Sequence, residues 1–282
     1  MANWTLPKGV TTAARKMLDA RARDQRVARV AGLSENARHK DAHKGKRCFI
    51  VASGPSVKAQ DLTKLKEDIS ISVSNSFVHK DFPIFKPRYH CVPDMLAGHS
   101  EYIADQKERF EKWLRTMDAS LGESELFLSS GDRSWIESAG VFQKRRVSYL
   151  LFDHEWDLLA ERGIDLTYIV PGVQSVSVMA LQVAFYMGFE KIYLLGCDHD
   201  WLLHVGTSAH FYASKEHAVL AGINNSEWAH TSFGNELRAS YTLWEQYRQL
   251  KSLAEARGIS IYNATGGGVL DVFPNVNFES LF

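Results

Sequence analysis

The chain has 282 residues, of which 45% are hydrophobic, enough to fill the core of one large domain or two small ones. Its 33 Lys and Arg side chains balance its 33 Asp and Glu side chains, so no global basic field favours nucleic-acid binding. The three cysteines lie in or beside apolar runs without zinc or disulfide spacing, and no apolar run reaches the ~20 residues of a membrane span. We therefore expect a soluble, cytoplasmic protein with buried, reduced thiols.

The amino-terminal part of the chain is locally basic. Residues 12–47 contain many Arg and Lys side chains, few acids and only a thin apolar stripe. This pattern predicts a leading helix that ends near Gly32, within a basic helical extension of residues 1–46. Such a helix can contact a membrane surface or an anionic partner. Because aromatic anchors are missing, we favour a solvated helix packed on the main domain.

From residue 47 to residue 282, predicted strands and helices alternate. The predicted strands are 47–52, Ile69–Val73, Arg88–Val92, Glu125–Leu128, Val147–Phe152, Thr167–Ile169, Lys191–Leu195 and Ser260–Tyr262. The predicted helices are 99–117, 173–187, 235–257 and a shorter one near Ala59–Glu67. Alternation of this kind predicts an α/β fold with a Rossmann-like, mostly parallel sheet and helices on both faces. Residues 199–234 lack clear periodicity, which is typical of a binding loop.

A turn of small residues follows the first predicted strand. The apolar run Cys48–Val51 predicts a strand buried on both faces, and Ser53-Gly54-Pro55-Ser56 comes directly after it. Open α/β sheets bind phosphorylated ligands at such turns, where the carboxyl end of a strand meets the next element. An ordinary turn between strand and helix explains the same residues equally well. The neighbouring turns are therefore needed to distinguish a ligand-binding turn from an ordinary one.

Similar turns follow other predicted strands. Asn75 offers an amide donor and a carbonyl acceptor to a nucleotide, or simply forms a turn. Gly172 precedes a helix entry at which Ser175 either caps the helix or lines an anion site. Gly266 and Gly267 permit close approach of a ligand to the backbone, or form a flexible turn. Together with the first turn, they predict a nucleotide or sugar-nucleotide pocket.

Two carboxylates lie at the end of the seventh predicted strand. Asp198 is placed where an acid commonly serves a ligand hydroxyl or a metal. Asp198 and Asp200 would share one face of an extended segment, so Mg²⁺ could bridge them and a diphosphate. The neighbouring histidines fit no standard zinc spacing. The identity of any metal is unknown from the residues alone.

Two further side chains suit transfer chemistry. His230 lies just before the long predicted helix, and an imidazole in a pocket can accept the proton of an attacking hydroxyl. By its residue type alone, it is no better a candidate than His210. Tyr212 can donate a hydrogen bond to a departing phosphate, or merely pack in the core.

The order of these motifs resembles the MptE-like superfamily, which includes motility accessory factor proteins and archaeal hydroxymethylpterin pyrophosphokinases. It is also similar to the bacterial sialyltransferases of glycosyltransferase family 42. The resemblance covers roughly residues 47–268 and rests on Ser53–Ser56, Ser74-Asn75, Gly172–Ser175, Met187–Asp198 and Tyr262–Gly267. It implies that Ser53–Ser56 and Asn75 hold the donor nucleotide, that His230 is the general base and that Tyr212 contacts the phosphate.

The resemblance implies a nucleotide-sugar-dependent glycosyltransferase of surface glycan or flagellin modification, with a CMP-sugar type of donor, a glycan or protein acceptor and no required cofactor. Ser53 stands where the sialyltransferases carry Asn, so the preferred nucleotide stays open. One alternative is an ATP-dependent pyrophosphokinase that acts on a hydroxymethylpterin-like alcohol, with Mg²⁺ on Asp198 and Asp200. Another is a non-catalytic nucleotide-binding protein of a glycan operon.

Overall fold

The eight strands that the structure describes pair in parallel within one sheet. The computed structural model describes residues 8–95, 100–153, 156, 159, 162–203 and 232–282. The strands are β1 (Arg47–Val51), β2 (Ile69–Val73), β3 (Tyr89–Cys91), β4 (Glu125–Ser129), β5 (Val147–Asp153), β6 (Ile169–Pro171), β7 (Lys191–Leu195) and β8 (Ser260–Asn263). Their order across the sheet is β6-β5-β4-β3-β2-β1-β7-β8. The predicted Rossmann-like α/β fold is confirmed.

Helices cover both faces of this sheet. They are α1 (Lys8–Arg29), α2 (Phe82–Phe85), α3 (Ser100–Ser120), α4 (Arg133–Ala139), α5 (Val176–Tyr186) and α6 (Phe233–Ala256). One core lies between the sheet and the pair α5 and α6, and a second lies between the sheet and the pair α3 and α4. β1 is buried on both faces because Cys48 and Ile50 pack in the first core and Phe49 and Val51 in the second, which explains its uninterrupted apolar run. Among the described residues, no helix has both the length and the apolar character that a membrane span needs.

The order of the strands reverses next to β1. Strands β1 to β6 follow one another outward in one direction, and α5 then returns the chain so that β7 pairs with the other side of β1. In open parallel sheets, ligands bind in the crevice outside the carboxyl ends of the strands at such a reversal. The loops that follow β1 and β7 flank this crevice, and the loop after β8 is their neighbour.

Residues 33–46 pack across the amino end of the sheet. Asn36 Nδ2 donates a hydrogen bond of 2.8 Å to the carbonyl oxygen of Tyr149, and His43 Nε2 lies 2.8 Å from the hydroxyl of Tyr89. Both Asn36 and His43 are buried. The segment before β1 therefore contributes buried polar contacts to the domain, while residues 17–29 of α1 present mostly exposed side chains.

The buried imidazole of His43 makes the stability of the fold depend on pH. His43 is 4% exposed, and burial, reinforced by Arg88 and Lys46, lowers its pKa to about 4. The unfolded chain takes up this proton near pH 6.5, so the free energy of unfolding should fall by ~2 kcal/mol between pH 7 and pH 5. Burial also lowers the pKa of His90, to about 3, so His90 adds to the loss of stability between pH 7 and pH 5.

Urea unfolding at pH 7 and pH 5 checks this prediction. In His43→Gln the titratable group is gone. The difference in the free energy of unfolding between pH 7 and pH 5 should therefore be smaller by the contribution of His43. A variant with the same pH dependence as the native protein would contradict the assignment.

Candidate functional site

Three loops at the carboxyl edge of the sheet meet around Asp198. Ser56, in the loop after β1, donates to Asp198 through its backbone N–H, 3.1 Å from Oδ1, and through its hydroxyl, 2.8 Å from Oδ2. Val269, in the loop after β8, donates its backbone N–H to the carbonyl oxygen of Asp198 over 2.8 Å. Asp198 therefore ties the loops after β1, β7 and β8 together at the reversal of the strand order.

The close approach of these loops requires glycine at two positions. A Cβ on Gly54 would lie 1.9 Å from Asp198 Oδ2 and 2.4 Å from the carbonyl oxygen of Gly196. Gly268 has φ +80°, and a Cβ there would lie 2.3 Å from the carbonyl oxygen of Asp198. Contacts this short leave no room for a side chain. The Gly-rich pattern of both turns thus follows from the packing around Asp198.

The Asp198 carboxylate is buried, with 5% of the residue exposed. Burial raises the pKa of Asp198, the two hydrogen bonds from Ser56 oppose this rise, and the negative charge of Asp200 adds to it. Ser56 was predicted to face a ligand phosphate, and its two donors are engaged by this carboxylate. A phosphate can reach them only if Asp198 moves away or is protonated, because two anions cannot share the same donors.

A chain of hydrogen bonds runs from the end of β7 to the start of α5. His199 Nε2 lies 2.7 Å from the hydroxyl of Tyr247, which lies 2.6 Å from Ser177 Oγ. Ser177 Oγ in turn lies 2.8 Å from Ser175 Oγ, and Ser175 caps α5 by accepting the N–H of Ser177. The predicted residue Ser175 is thereby connected to His199, the residue that follows Asp198.

Burial sets the protonation states along this chain. It lowers the pKa of His199 to about 4, so the imidazole is neutral near pH 7. It raises the pKa of Tyr247, which keeps the phenol protonated. His199 also has φ +52°, a left-handed backbone conformation that is uncommon for a residue with a side chain. The loop thus holds a neutral imidazole in a strained position beside Asp198.

The other predicted residues lie at the same edge of the sheet with different surroundings. Asn75 follows β2 and is buried, and its Oδ1 accepts a hydrogen bond of 2.7 Å from Trp113 Nε1. The carbonyl oxygen of Gly172 accepts a hydrogen bond of 2.7 Å from Trp156 Nε1. Ser53 and Pro55 are half-buried, and Gly266 and Gly267 are exposed. A Cβ on Gly267 would lie 4.0 Å from Ser56 Cβ, which places this loop beside the first turn.

Several predicted residues fall outside the part of the chain that the structure describes. His230, Tyr212 and His210 lie in residues 204–231, so their roles stay predictions. Asp200 is half-buried next to the Asp198 loop. Within the described ranges, no group of three or more His, Cys, Asp and Glu side chains is arranged to hold a metal ion. Mg²⁺ on Asp198 and Asp200 also stays a prediction.

The sequence gives no prediction for Tyr247. It marks His199 only as one of several histidines near Asp198. The signal for Tyr247 is its spacing in the long helix, because Leu243, Tyr247 and Leu250 share the buried face of α6. A tyrosine on such a face usually finds a hydrogen-bond partner for its hydroxyl. That partner, His199, could not be read from the sequence because it lies on another element.

No protein-family model matches this chain, and no curated protein matches it. The class of fold is nevertheless defined by the strands themselves. It is an all-parallel, Rossmann-like α/β sheet whose strand order reverses at β1 and β7.

Proposed function

We propose that the protein is a nucleotide-sugar-dependent glycosyltransferase whose donor binds outside the carboxyl ends of β1 and β7. The observation that carries this proposal is the convergence of three loops on Asp198 at the reversal of the strand order. Parallel α/β sheets bind nucleotides at this place because the loops there present backbone donors and short polar side chains. The motif order that resembles the sialyltransferases supports transfer of a sugar as the reaction.

The loops offer distinct groups to the donor. Exposed Gly266 and Gly267 allow the ligand to approach the backbone next to Ser56, and a Cβ on Gly266 would meet no atom within 4 Å. Asp198 orients Ser56, and an acid at this place also suits a ribose hydroxyl. Ser53, half-buried in the same turn, lies where the nucleotide would be recognised. The donor is of the CMP-sugar type in this proposal, and the acceptor is a glycan or a protein.

The proposed reaction is a displacement at the anomeric carbon of the donor sugar. The acceptor hydroxyl forms the new bond to this carbon and gives its proton to His230. The bond from the carbon to the phosphate oxygen breaks, and the nucleotide leaves with the electron pair. Tyr212 donates a hydrogen bond to the departing phosphate.

A thermal-shift panel of CMP, UDP, GDP and ATP, each with and without Mg²⁺, tests this proposal. A nucleotide at 100 times its dissociation constant stabilises the fold by ~2.7 kcal/mol, which should raise the melting temperature by about 5 °C. No response to any of the four would overturn it. A response to ATP that strictly requires Mg²⁺ would favour the pyrophosphokinase, and binding without turnover of any donor would favour the non-catalytic alternative.

A further inference from the structure

Three half-buried aromatic side chains cluster at the end of β7. The imidazole of His199 stands edge-to-face against the indole of Trp201, with ring centroids 5.4 Å apart. It stands in a similar way against the indole of Trp244 on α6, with centroids 6.1 Å apart. We call His199, Trp201 and Trp244 the aromatic cluster. Because His199 follows Asp198 directly, the cluster lies at the same edge as the proposed nucleotide site.

Two rings of the aromatic cluster are held in place by hydrogen bonds. Trp244 Nε1 donates over 2.8 Å to Asp271 Oδ1, in the segment that follows β8. His199 Nε2 is held by the Tyr247 hydroxyl, which is itself fixed by Ser177. Rings that are fixed before a ligand arrives lose little conformational entropy on binding. The cluster is therefore built as a rigid surface.

Within the part of the chain that the structure describes, one polar group of the aromatic cluster has no hydrogen-bond partner. The Nε1–H of Trp201 is shielded from solvent and has no acceptor among the described residues. Buried donors are almost always satisfied, so an unsatisfied one calls for an explanation. The left-handed backbone of His199 is a second local cost at the same place. A ligand oxygen that accepts the Trp201 N–H would account for the first of these costs.

The aromatic cluster offers the combination of apolar and polar groups that suits a sugar ring. The planes of Trp201 and Trp244 are inclined to the imidazole by 90° and 68°, so neither indole can hold a planar base by stacking it against the imidazole. A pyranose ring carries apolar C–H groups on its faces and hydroxyls around its edge. Apolar walls that contain a few fixed polar groups are the usual lining of a small-molecule site.

We propose that the aromatic cluster is the subsite for the sugar ring of the donor. In this subsite the indoles of Trp201 and Trp244 cover the C–H groups of the sugar, and His199, positioned by Tyr247, hydrogen-bonds a hydroxyl. The proposal rests on the glycosyltransferase function and names the part of the donor that this edge of the site recognises. Since the imidazole is neutral near pH 7, it can donate or accept such a bond without a change in charge.

Calorimetric titration with matched ligands tests the subsite. The pairs are CMP and CMP-N-acetylneuraminic acid, UDP and UDP-N-acetylglucosamine, and GDP and GDP-mannose. We expect one sugar nucleotide to bind more tightly than its bare nucleotide. Trp201→Leu and His199→Gln should each reduce that gain by about tenfold, while the affinity for the bare nucleotide changes by less than about twofold. Trp201→Phe, which keeps an apolar ring, should retain most of the extra affinity that the sugar provides.

A separate readout addresses the positioning role of Tyr247. In Tyr247→Phe the hydroxyl that holds His199 Nε2 is gone, so the ¹⁵N signals of this imidazole should show a changed tautomer balance. The same variant should lose part of the gain from the sugar. Unchanged imidazole signals would contradict the positioning role.

Two results would overturn the subsite. One is equal affinity of the native protein for every nucleotide and its sugar conjugate, and the other is an equal loss of both affinities in the variants. If no nucleotide binds at all, the proposed function fails, and tryptophan fluorescence with free N-acetylneuraminic acid, N-acetylglucosamine and mannose then decides about the subsite. Quenching in the native protein that is lost in Trp201→Leu would support the sugar subsite. An absence of quenching in the native protein would overturn it.

Discussion

Replacement of Gly54 by Ala should lower the free energy of unfolding by about 3 kcal/mol. The backbone at Gly54, with φ −64° and ψ 155°, suits any residue, so the effect is purely steric. The new Cβ would lie 1.9 Å from Asp198 Oδ2 and 2.4 Å from the carbonyl oxygen of Gly196. The carboxylate could rotate away, but the carbonyl of Gly196 is backbone and accepts the N–H of Gly54 over 2.9 Å. The loops after β1 and β7 would have to separate.

Urea unfolding of Gly54→Ala beside Gly266→Ala checks this expectation. A Cβ on Gly266 meets no atom within 4 Å, so this control carries the same chemical change without the clash. We expect its stability to stay within about 0.5 kcal/mol of the native protein. Gly54→Ala should also lose the thermal shift with nucleotide, since the loops after β1 and β7, which line the proposed site, separate. Equal stability of the two variants would show that the loops after β1 and β7 are not in contact as described.

Replacement of Gly268 by Ala should be more damaging still, with a loss of about 4 kcal/mol. Two independent costs combine there. The backbone has φ +80°, which strains any residue with a Cβ, and the Cβ would lie 2.3 Å from the carbonyl oxygen and 2.4 Å from the Cα of Asp198. All of these atoms belong to the backbone, so no side-chain rotation relieves the clash. The loop after β8 must leave Asp198.

Gly267→Ala is the matched control for this second variant. Its φ lies outside the left-handed region, and its Cβ would meet Ser56 Cβ at 4.0 Å, an ordinary contact. Hydrogen exchange at the amide of Val269 reports the change directly, because this amide donates to Asp198. It should exchange faster in Gly268→Ala and at the native rate in Gly267→Ala. Protection that persists in both variants would contradict the packing of this loop.

The strands could be predicted from the sequence because their burial is visible as apolar runs. Cys48–Val51 and Ile192–Leu195 are continuous, and the alternation of such runs with long helical patterns predicts a parallel sheet. The turns at the strand ends were equally visible, since glycine, proline and serine mark them. The short helices α2 and α4 were missed because 4 and 7 residues hold too little periodic signal.

The contacts of the site could not be predicted because they depend on the order of the strands. Ser56 and Asp198 are 142 positions apart, and they meet only because β7 pairs with β1 rather than continuing beyond β6. The alternation of strands and helices does not specify this order. His199 and Tyr247 meet for a similar reason, as α6 packs over the same end of the sheet. Asn36 and His43 lie in the predicted basic extension, and their contacts with Tyr149 and Tyr89 could not be predicted because the partners lie on distant strands.

We expect a nucleotide to bind at the carboxyl edge of the sheet over β1 and β7. Amide ¹H–¹⁵N spectra of the protein, titrated with the nucleotide that raises its melting temperature most, test this claim directly. We predict that the largest shift changes fall on residues 53–56, 196–198 and 265–268, which line the meeting point of the three loops. Changes confined to residues 33–46 at the amino end of the sheet, or no changes at saturating nucleotide, would contradict it.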